Sequence, residues 1–540
     1  MSQADFYQST VNSLKAMSPE IILLLGAVAI MTAGAFLSRS RLFWAQATAV
    51  VLGLSLVALW LAGSTPTDEI TGVFITDAFS INVRLGLLLA SFLILGILQD
   101  QVDAARAPEY FGSLLFLQGG AMIVAGANEL IVLFLGLELV SMPTYLMLYF
   151  SRRNATTLET ATKYFFLSIF ASAFFIYGAT FLYGMLGITH LKGIATVFHS
   201  GITNIPDNKF GLIAAMMLLI GLTYRITAVP MHFYAPDVYE GSPYGMTALL
   251  SWFPKTVGFI ALARVFSPLF GHQFSNGVND YIPDRLLLAL TIIAAATLLV
   301  GNTMALLQTN LRRLFAYSSI AHSGYLLLGL IASVRQDILV GAKADDPLLG
   351  TFGILTYLVA YGLMTLGAIG VIMALNRPER PVESIEDLAG LGKSSPGFAL
   401  VLTVFLFSLA GIPPLVGFWG KFYVFTALFR VASGEPDRML TWLAIFAAVN
   451  AAVGVFYYLR IVVTMYLKAS DVPPAYEPKV RSGVALPLKA TIAVCLAGTL
   501  VFGLFPGIIS GPAQRAAVSS LKLPLHDEAL NKANLKSVSR

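Results

Sequence analysis

The chain has 540 residues, of which 57% are hydrophobic and 12% are charged, and its net charge is +5. Ordinary soluble domains contain about 25% charged residues, so this composition excludes a soluble protein and indicates an integral membrane protein. The positive charge is distributed over many loops, which argues against nucleic acid as a partner. The single cysteine, Cys495, excludes an intrachain disulfide and an all-cysteine cluster site.

The sequence contains no signature of a bound cofactor. No GxGxxG-type loop follows a predicted strand, and no histidines and cysteines have the spacing of metal ligands. We therefore expect no flavin, nucleotide, iron–sulfur cluster or metal ion in the chain itself. Residues 1–18 are polar and lack a basic segment followed by a cleavage site, so they do not predict a removable signal.

Fourteen apolar segments are long enough to cross a bilayer, which predicts an all-α polytopic membrane protein. They lie at residues 19–37, 42–63, 78–98, 110–127, 129–150, 160–187, 209–229, 244–270, 285–306, 314–334, 349–375, 396–428, 438–467 and 485–505. The sequence from Gly507 onward is polar and predicts a short surface segment.

The short loops between the segments predict an orientation. With fourteen spans, three pairs of arginines fall on the same side of the membrane: Arg39 and Arg41, Arg152 and Arg153, and Arg312 and Arg313. Because short cytoplasmic loops carry an excess of basic residues, this side is predicted to be the cytoplasmic one, and both termini are predicted to lie outside.

Two of the segments are interrupted by proline. Pro230 should break the seventh segment, and Pro413 with Pro414 should break the twelfth, because proline removes an amide donor and clashes with the preceding turn. Inside a bilayer such breaks are tolerated only where protein or water satisfies the freed backbone groups. The polar sequence PDVYEGSP, residues 236–243, follows the first break, and we interpret it as a structural plug that closes the broken helix.

The two breaks lie five segments apart, which predicts two five-helix units of opposite topology, as in many transporters. This repeat divides the chain into four parts. They are residues 1–109 with helices 1–3, residues 110–270 with the first unit, residues 285–468 with the second unit, and residues 469–540 with helix 14 and a polar tail.

Four ionisable side chains inside the spans form the candidate site: Glu138, Lys255, His322 and Lys421. A charge at the bilayer centre costs about 2.5–3.5 kcal/mol unless it is paired or hydrated, so such residues usually mark ion pathways. Removal from water disfavours an ammonium ion, so a buried lysine can release its proton near neutral pH, where histidine also titrates. The structural alternatives are a hydrogen-bonded glutamate, lysines that extend to an interface, and a core histidine.

Arg225, about one turn before the first break, is a different kind of group. With a reference pKa of about 13.8, an arginine would need about 9 kcal/mol to lose its proton near neutrality. We therefore predict a fixed cation that holds Glu138 ionised, with anchoring of the helix end as the alternative. His232, just after the break, is a further possible proton carrier.

Around these residues the sequence resembles the antiporter-like membrane subunits of respiratory complex I. The resemblance lies in the segment around Lys255 and in the motifs GLELVSMPTY, AVPMHFYAPDVYEGSP, NLRRLFAYSSIAHSGY, AGIPPLVGFWGKFYVF and YYLR. These motifs extend from about Phe134 to Arg460 and therefore cover most of the chain.

The resemblance implies a proton-translocating subunit of an NADH–quinone oxidoreductase, with two inverted half-channels and with quinone reduction elsewhere in the complex as the driving force. It implies that Glu138, Lys255 and Lys421 occupy the family's glutamate and lysine positions, and that Arg225 stands where the family has a lysine. It also implies assembly with other complex I membrane subunits in the inner (plasma) membrane. Quinone, FMN and iron–sulfur clusters would then belong to partner subunits.

Two other functions are compatible with parts of this pattern. A subunit of an Mrp-type sodium/proton antiporter shares the fold and many motifs, and stimulation of transport by cations would favour it. A scaffold without transport activity would use its charges only for helix packing. Several charges within apolar spans, placed beside two helix breaks, argue against the scaffold.

Overall fold

The computed structural model describes residues 3–63, 65, 67, 72–151, 155–199, 208–270, 281–336, 350–376, 381–434, 438–469, 480 and 483–521. Within these residues the regular structure is helical, apart from three isolated β-bridges. The all-α class is therefore confirmed. The N-terminal helices are α1 (Gln3–Ala16), α2 (Ser18–Phe36), α3 (Arg41–Ala62), α4 (Ala78–Leu98), α5 (Ala107–Gly126), α6 (Leu130–Ser151) and α7 (Ala155–Leu186).

The rest of the chain contains thirteen further α-helices among the described residues. They are α8 (Leu191–His199), α9 (Asn208–Arg225), α10 (Ala235–Gly241), α11 (Tyr244–Phe270), α12 (Tyr281–Leu307), α13 (Leu311–Gln336), α14 (Gly350–Leu375), α15 (Leu391–Ser394), α16 (Pro396–Ala410), α17 (Val416–Gly434), α18 (Arg438–Leu467), α19 (Leu486–Leu504) and α20 (Gly507–Leu521).

In the described part of the chain, eleven helices are long and apolar enough to cross a membrane: α2, α3, α4, α6, α7, α11, α12, α13, α14, α18 and α19. The other three predicted segments are also helical and correspond to α5, to α9 and to the pair α16 and α17. Helices α11 and α13 are buried along their spanning windows, whereas α2 and α7 expose most of theirs. The chain is thus a polytopic helical bundle in which α11 and α13 lie at the centre.

The two ends of the chain contain helices that the sequence analysis did not anticipate. Helix α1 precedes the first span, and α20 packs against α4 and α14. The surface-segment prediction from Gly507 onward was incomplete, because Ala513, Ala516 and Ala517 form a buried face on α20. The backbone N–H of Phe79 on α4 also donates to the hydroxyl of Ser519, at 2.8 Å. Small residues at helical spacing can pack closely although the segment is polar overall.

The first break begins earlier than proline alone predicts, since α9 ends at Arg225 and Pro230 lies in the turns that follow. Neighbouring side chains satisfy the freed backbone groups. The N–H of Val229 donates to the hydroxyl of Thr297 at 3.0 Å, and the carbonyl of Ile226 accepts from the hydroxyl of Ser323. Side chains of neighbouring helices therefore take the place of water at the interrupted backbone.

The second break lies between α16 and α17, at residues 411–415. Gly411 ends α16 with a φ of +91°, a conformation that favours glycine, and its N–H bonds back to the carbonyls of Phe407 and Ser408. A β-carbon at this position would also lie 3.0 Å from the Lys421 side chain. Glycine therefore both turns the chain and leaves room for the lysine. Pro413 and Pro414 occupy the turn that follows, and prolyl bonds at both breaks are cis.

Two buried ion pairs hold the N-terminal helices, one between two of these helices and one between α4 and α11. Arg84 on α4 binds Glu20 on α2 at 2.6 Å, and both side chains are fully buried. Asp77, at the start of α4, binds Arg264 on α11 at 2.8 Å. Burial opposes ionisation of Asp77, but the charge and hydrogen bonds of Arg264 outweigh it and hold the pKa of Asp77 below its ordinary value. Glu20 and Arg264 were not singled out from the sequence, because each lies near one end of an apolar segment.

We predict that Arg84→Met destabilises the purified protein by about 3–5 kcal/mol, because it leaves the Glu20 carboxylate buried without its cation. Arg41→Met is the matched control, since Arg41 is half-exposed in its ion pair with Asp100. Exposed pairs contribute about 0–1 kcal/mol. Thermal unfolding in detergent measures both variants, and the double variant Arg84→Met with Glu20→Gln should recover part of the loss. Equal losses for Arg84→Met and Arg41→Met would contradict this account.

Candidate functional site

Glu138 and Arg225 form an ion pair at the first break. Nη2 of Arg225 lies 3.0 Å from Oε1 of Glu138, and the two side chains are 4% and 18% exposed. Arg225 is the last residue of α9, and Glu138 lies in the middle of α6. The pair therefore joins the end of the broken helix to the neighbouring span.

Additional hydrogen bonds hold both members of the pair. Nη1 of Arg225 donates to the carbonyl of Leu137 at 2.7 Å and to the hydroxyl of Ser141. The hydroxyl of Ser172, on α7, donates to Oε1 of Glu138. A buried ion pair is stable only when its remaining donors and acceptors are satisfied in this way. The three helices α6, α7 and α9 thus converge on one charged centre.

Lys255 lies on α11 and is 1% exposed. Its ammonium group donates to the carbonyl of Ser319 and, at 2.5 Å, to the hydroxyl of the same residue. Its Nζ also lies 5.0 Å from the centre of the Tyr361 ring. These partners are all neutral, so the lysine is solvated by dipoles and an aromatic face in place of a counter-ion.

The pair and Lys255 are connected through α13. The hydroxyl of Ser323 contacts the carbonyl of Ile226, the residue after Arg225, and lies 3.2 Å from the carbonyl of Ser319. On α11, Gly258 lies one turn beyond Lys255, and a β-carbon there would be 2.9 Å from the β-carbon of Arg225. Only glycine permits this approach without displacement of α9. A shift of Arg225 would therefore act directly on the helix that carries Lys255.

His322 is buried on α13 between two tyrosine hydroxyls. Its Nδ1 is 2.7 Å from the hydroxyl of Tyr357, and its Nε2 is 3.1 Å from that of Tyr458. The ring centre of His322 lies 4.8 Å from that of Tyr361, the ring that covers Lys255. A neutral imidazole has one donor and one acceptor nitrogen, so it can pass a proton between two hydroxyls.

Lys421 lies on α17, and the second break supplies its partners. Its ammonium group donates to the carbonyls of Leu409 and Ala410 at 3.0 and 2.8 Å. These carbonyls belong to the last turn of α16, where no following amide can bind them and where the helix dipole favours a cation. Nζ also lies 5.2 Å from the ring of Tyr325, which in turn contacts the ring of His322.

The structure thus brings Lys255, His322 and Lys421 into one buried region, with tyrosine rings between them. Glu138 and Arg225 lie beside this region, at the end of α9. His232 is separate from it: the residue lies in the turns after Pro230, and within the described residues its Nδ1 has no hydrogen-bond partner.

Sequence reasoning missed the hydroxyl groups that surround the charged residues. Ser319 and Ser323 lie one turn apart on α13, and His322 lies between them. The signal was present in the motif AYSSIAHSGY, which carries several polar residues inside a buried helix. The tyrosines of α14 and α18 gave no comparable signal, because aromatic residues are common in apolar segments.

Within the described residues, no group of three or more histidine, cysteine, aspartate or glutamate side chains could hold a metal ion. The polar side chains that do converge can bind, hold and pass protons.

Comparison with known proteins relates the chain to a group of membrane proteins. The family described as NADH:quinone oxidoreductase/Mrp antiporter, transmembrane, matches residues 127–449. The chain is 35% identical over 516 residues to NADH-quinone oxidoreductase subunit N of Trichlorobacter lovleyi, a match that covers 94% of this chain and 97% of that protein. It is also 35% identical to NADH-quinone oxidoreductase subunit N 2 of Rhizobium meliloti, with 93% of this chain and 97% of that protein covered.

Two solved structures have similar folds. A chain of respiratory complex I from Thermus thermophilus with bound aureothin superposes with a TM-score of 0.69 at 28% identity, covering 91% of this chain and 98% of that chain. A chain of the Mrp complex from Dietzia sp. superposes with a TM-score of 0.77 at 19% identity, covering 96% of this chain and 99% of that chain. The likeness to the Mrp chain concerns the fold alone.

Proposed function

The chain belongs to the NADH:quinone oxidoreductase/Mrp antiporter family of membrane subunits, and from that premise we propose that it is the N subunit of an NADH-quinone oxidoreductase. In this role it translocates protons while quinone is reduced elsewhere in the complex. The observation that carries the proposal is the buried arrangement of Lys255, His322 and Lys421 beside the Glu138–Arg225 ion pair. Similarity to proteins named as subunit N, at 35% identity over nearly the whole chain, supports the same conclusion.

The proposed mechanism begins at the ion pair. While Glu138 is bound to Arg225, the two charges largely cancel at Lys255. When the pair opens, the field of Arg225 is no longer compensated, and the positive potential at Lys255 rises. Two cations about 10 Å apart repel by about 1.7 kcal/mol at an effective dielectric constant of about 20. That repulsion favours release of the proton from Lys255.

The released proton moves along the groups that contact Lys255. Tyr361 and Tyr357 lie beside His322, and Tyr325 lies between His322 and Lys421. His322 takes up a proton at one ring nitrogen and releases one from the other, so that its charge is restored after each transfer. Lys421 receives the proton and discharges it outward. Water between these groups would complete the path, because buried polar groups without protein partners are commonly hydrated.

The energy for opening and closing the pair comes from partner subunits in this proposal. The chain would assemble with other complex I membrane subunits in the inner (plasma) membrane. Quinone, FMN and iron–sulfur clusters would be bound by those partners. A partner would act on this subunit by separating Glu138 from Arg225, which leaves the charge of Arg225 without compensation.

We further propose fourteen spans arranged as two inverted five-helix units, α5–α11 and α12–α18. Matching pairs of backbone hydrogen bonds support the repeat. In the first unit, the N–H of Leu130 donates to Thr189 and that of Leu191 to Asn128; in the second, Leu311 donates to Glu383 and Ile385 to Thr309. Each pair joins the start of the second helix of its unit to the loop after the third helix. Five proposed crossings separate the two pairs, so they lie at opposite faces of the membrane.

In the proposed orientation both termini lie outside. Arg39 and Arg41 at the start of α3, and Arg312 and Arg313 in the first turn of α13, support it, whereas Arg152 and Arg153 lie outside the described residues. A cysteine introduced near Asp68 should react with an impermeant reagent from outside intact cells, while one near Arg153 should be protected until the membrane is opened. Cys495 is buried and should give little background. The opposite labelling pattern would reverse the proposed orientation.

We predict that Lys255→Ala lowers proton pumping and coupled quinone reduction while the complex still assembles. Lys468→Ala is the matched control, because Lys468 is half-exposed in an ion pair with Glu386. The measurement is the number of protons pumped per quinone reduced in reconstituted vesicles. An unchanged ratio for Lys255→Ala would remove Lys255 from the pathway. Activation by sodium ions would instead favour an antiporter.

A further inference from the structure

The short helix α10 lies at the predicted cytoplasmic face, between the first break and α11. Its outward side carries Asp237 and Glu240, which are 45% and 41% exposed. Arg313 binds both carboxylates, at 2.9 and 2.8 Å, and Lys163 binds Asp237 at 3.1 Å. Burial opposes ionisation of Asp237, but hydrogen bonds from Lys163 and Arg313 outweigh it and hold the pKa of Asp237 below its ordinary value. The water-facing side of α10 therefore carries an ionised cluster in which both carboxylates are paired with cations.

The inward side of α10 carries Tyr239, which is 1% exposed. Its hydroxyl lies 3.4 Å from the hydroxyl of Ser319. The same Ser319 hydroxyl accepts a hydrogen bond from Lys255 at 2.5 Å. A single short helix thus separates the ionised cluster from the chain of hydroxyl groups that leads to Lys255.

The polar contacts that hold α10 at the membrane surface are individually weak. Its ion pairs involve partly exposed side chains, and such pairs contribute about 0–1 kcal/mol each. Other contacts are the hydrogen bond from Thr157 to the carbonyl of Gly241, at 3.2 Å, and that from Arg312 to the carbonyl of Ser242, at 2.9 Å. The Tyr239–Ser319 separation of 3.4 Å exceeds the usual 2.5–3.0 Å between hydroxyl groups. A small displacement of α10 would therefore make or break this link.

We propose that α10 is the proton intake gate for Lys255 and that Tyr239 is its relay hydroxyl. This inference rests on the proposed function and names the site at which protons reach the central lysine. When the gate closes the 3.4 Å gap, the O–H bond of Tyr239 breaks toward Ser319, while a new O–H bond forms with a proton from a hydronium ion on the outer side, which is left as water. Ser319 passes its own proton to the neutral amine of Lys255 in the same way. Tyr239 and Ser319 end the step as neutral hydroxyls, and Lys255 ends it as an ammonium ion.

This role differs from that of a plug, which needs only to exclude water. A plug would require the aromatic ring of Tyr239 but not its hydroxyl. Tyr239→Phe separates the two, because it keeps the ring and removes the group that contacts Ser319.

The test uses the complete complex reconstituted in vesicles. Tyr239→Phe is expected to lower the rate of proton pumping roughly tenfold or more, since a positioned proton-transfer group typically contributes at least this much. The solvent deuterium isotope effect on coupled quinone reduction should also rise, because proton uptake becomes rate-limiting. A purely structural change would not alter the isotope effect.

Two further variants accompany the measurement. Tyr234→Phe is the matched control: Tyr234 is a buried tyrosine next to α10 whose hydroxyl donates to the carbonyl of Tyr224 at 2.9 Å. It should pump at close to the wild-type rate. Ser319→Ala removes the next hydroxyl in the relay, so it should lower pumping as Tyr239→Phe does. The double variant should be little worse than either single one, because the two groups act in series.

The outcomes separate this inference from the proposed function. Wild-type pumping by Tyr239→Phe, together with a loss in Lys255→Ala, would overturn the intake gate and leave the function intact. Wild-type pumping by both variants would overturn both. Equal losses in Tyr239→Phe and Tyr234→Phe, without a change in the isotope effect, would reduce α10 to a structural plug.

Discussion

The ion pair between Glu138 and Arg225 is the interaction on which the proposed activity depends. An isolated charge in an apolar bundle is destabilising, and in this bundle several helices supply the hydrogen bonds that stabilise the pair. Arg225 ends α9 and donates to α6, while Ser172 of α7 donates to Glu138. The end of α9 lies against Gly258 of α11. Movement of one charge therefore involves α6, α7 and α9, and it also acts on α11, the helix that carries Lys255.

The two helix breaks differ in the hydrogen-bond partners of the lysine that lies near each of them. At the second break, the free carbonyls of Leu409 and Ala410 bind the ammonium group of Lys421 directly. At the first break, the carbonyl of Ile226 accepts a hydrogen bond from Ser323 of α13. Lys255 donates to Ser319, which lies on the same helix as Ser323. Lys421 thus rests against fixed dipoles of a helix end, and Lys255 rests against a hydroxyl that can also carry a proton. This difference is consistent with proton loading at Lys255 through Ser319.

The sequence was sufficient for the features that depend on chain-local chemistry. Apolar runs marked the spans, and proline marked both breaks. Charges within apolar runs marked Glu138, Lys255, His322, Lys421 and Arg225. It was insufficient for contacts made by residues far apart in the chain. The pairing of Glu20 with Arg84 and of Tyr239 with Ser319 depends on how helices pack, which no local pattern reports. The buried alanine face of α20 was missed because small residues carry a weak hydrophobic signal.

A double-mutant cycle on the pumping rate tests the central claim most directly. The cycle comprises Arg225→Met, Glu138→Gln and the double variant, with Arg225→Lys as the variant that keeps the charge. The account predicts that the double variant loses less than the two single losses added together, with a coupling of about 0.5–3 kcal/mol, and that Arg225→Lys retains much of the activity. Purely additive losses would show that Glu138 and Arg225 do not act as a pair, and would contradict control of Lys255 by the opening of that pair.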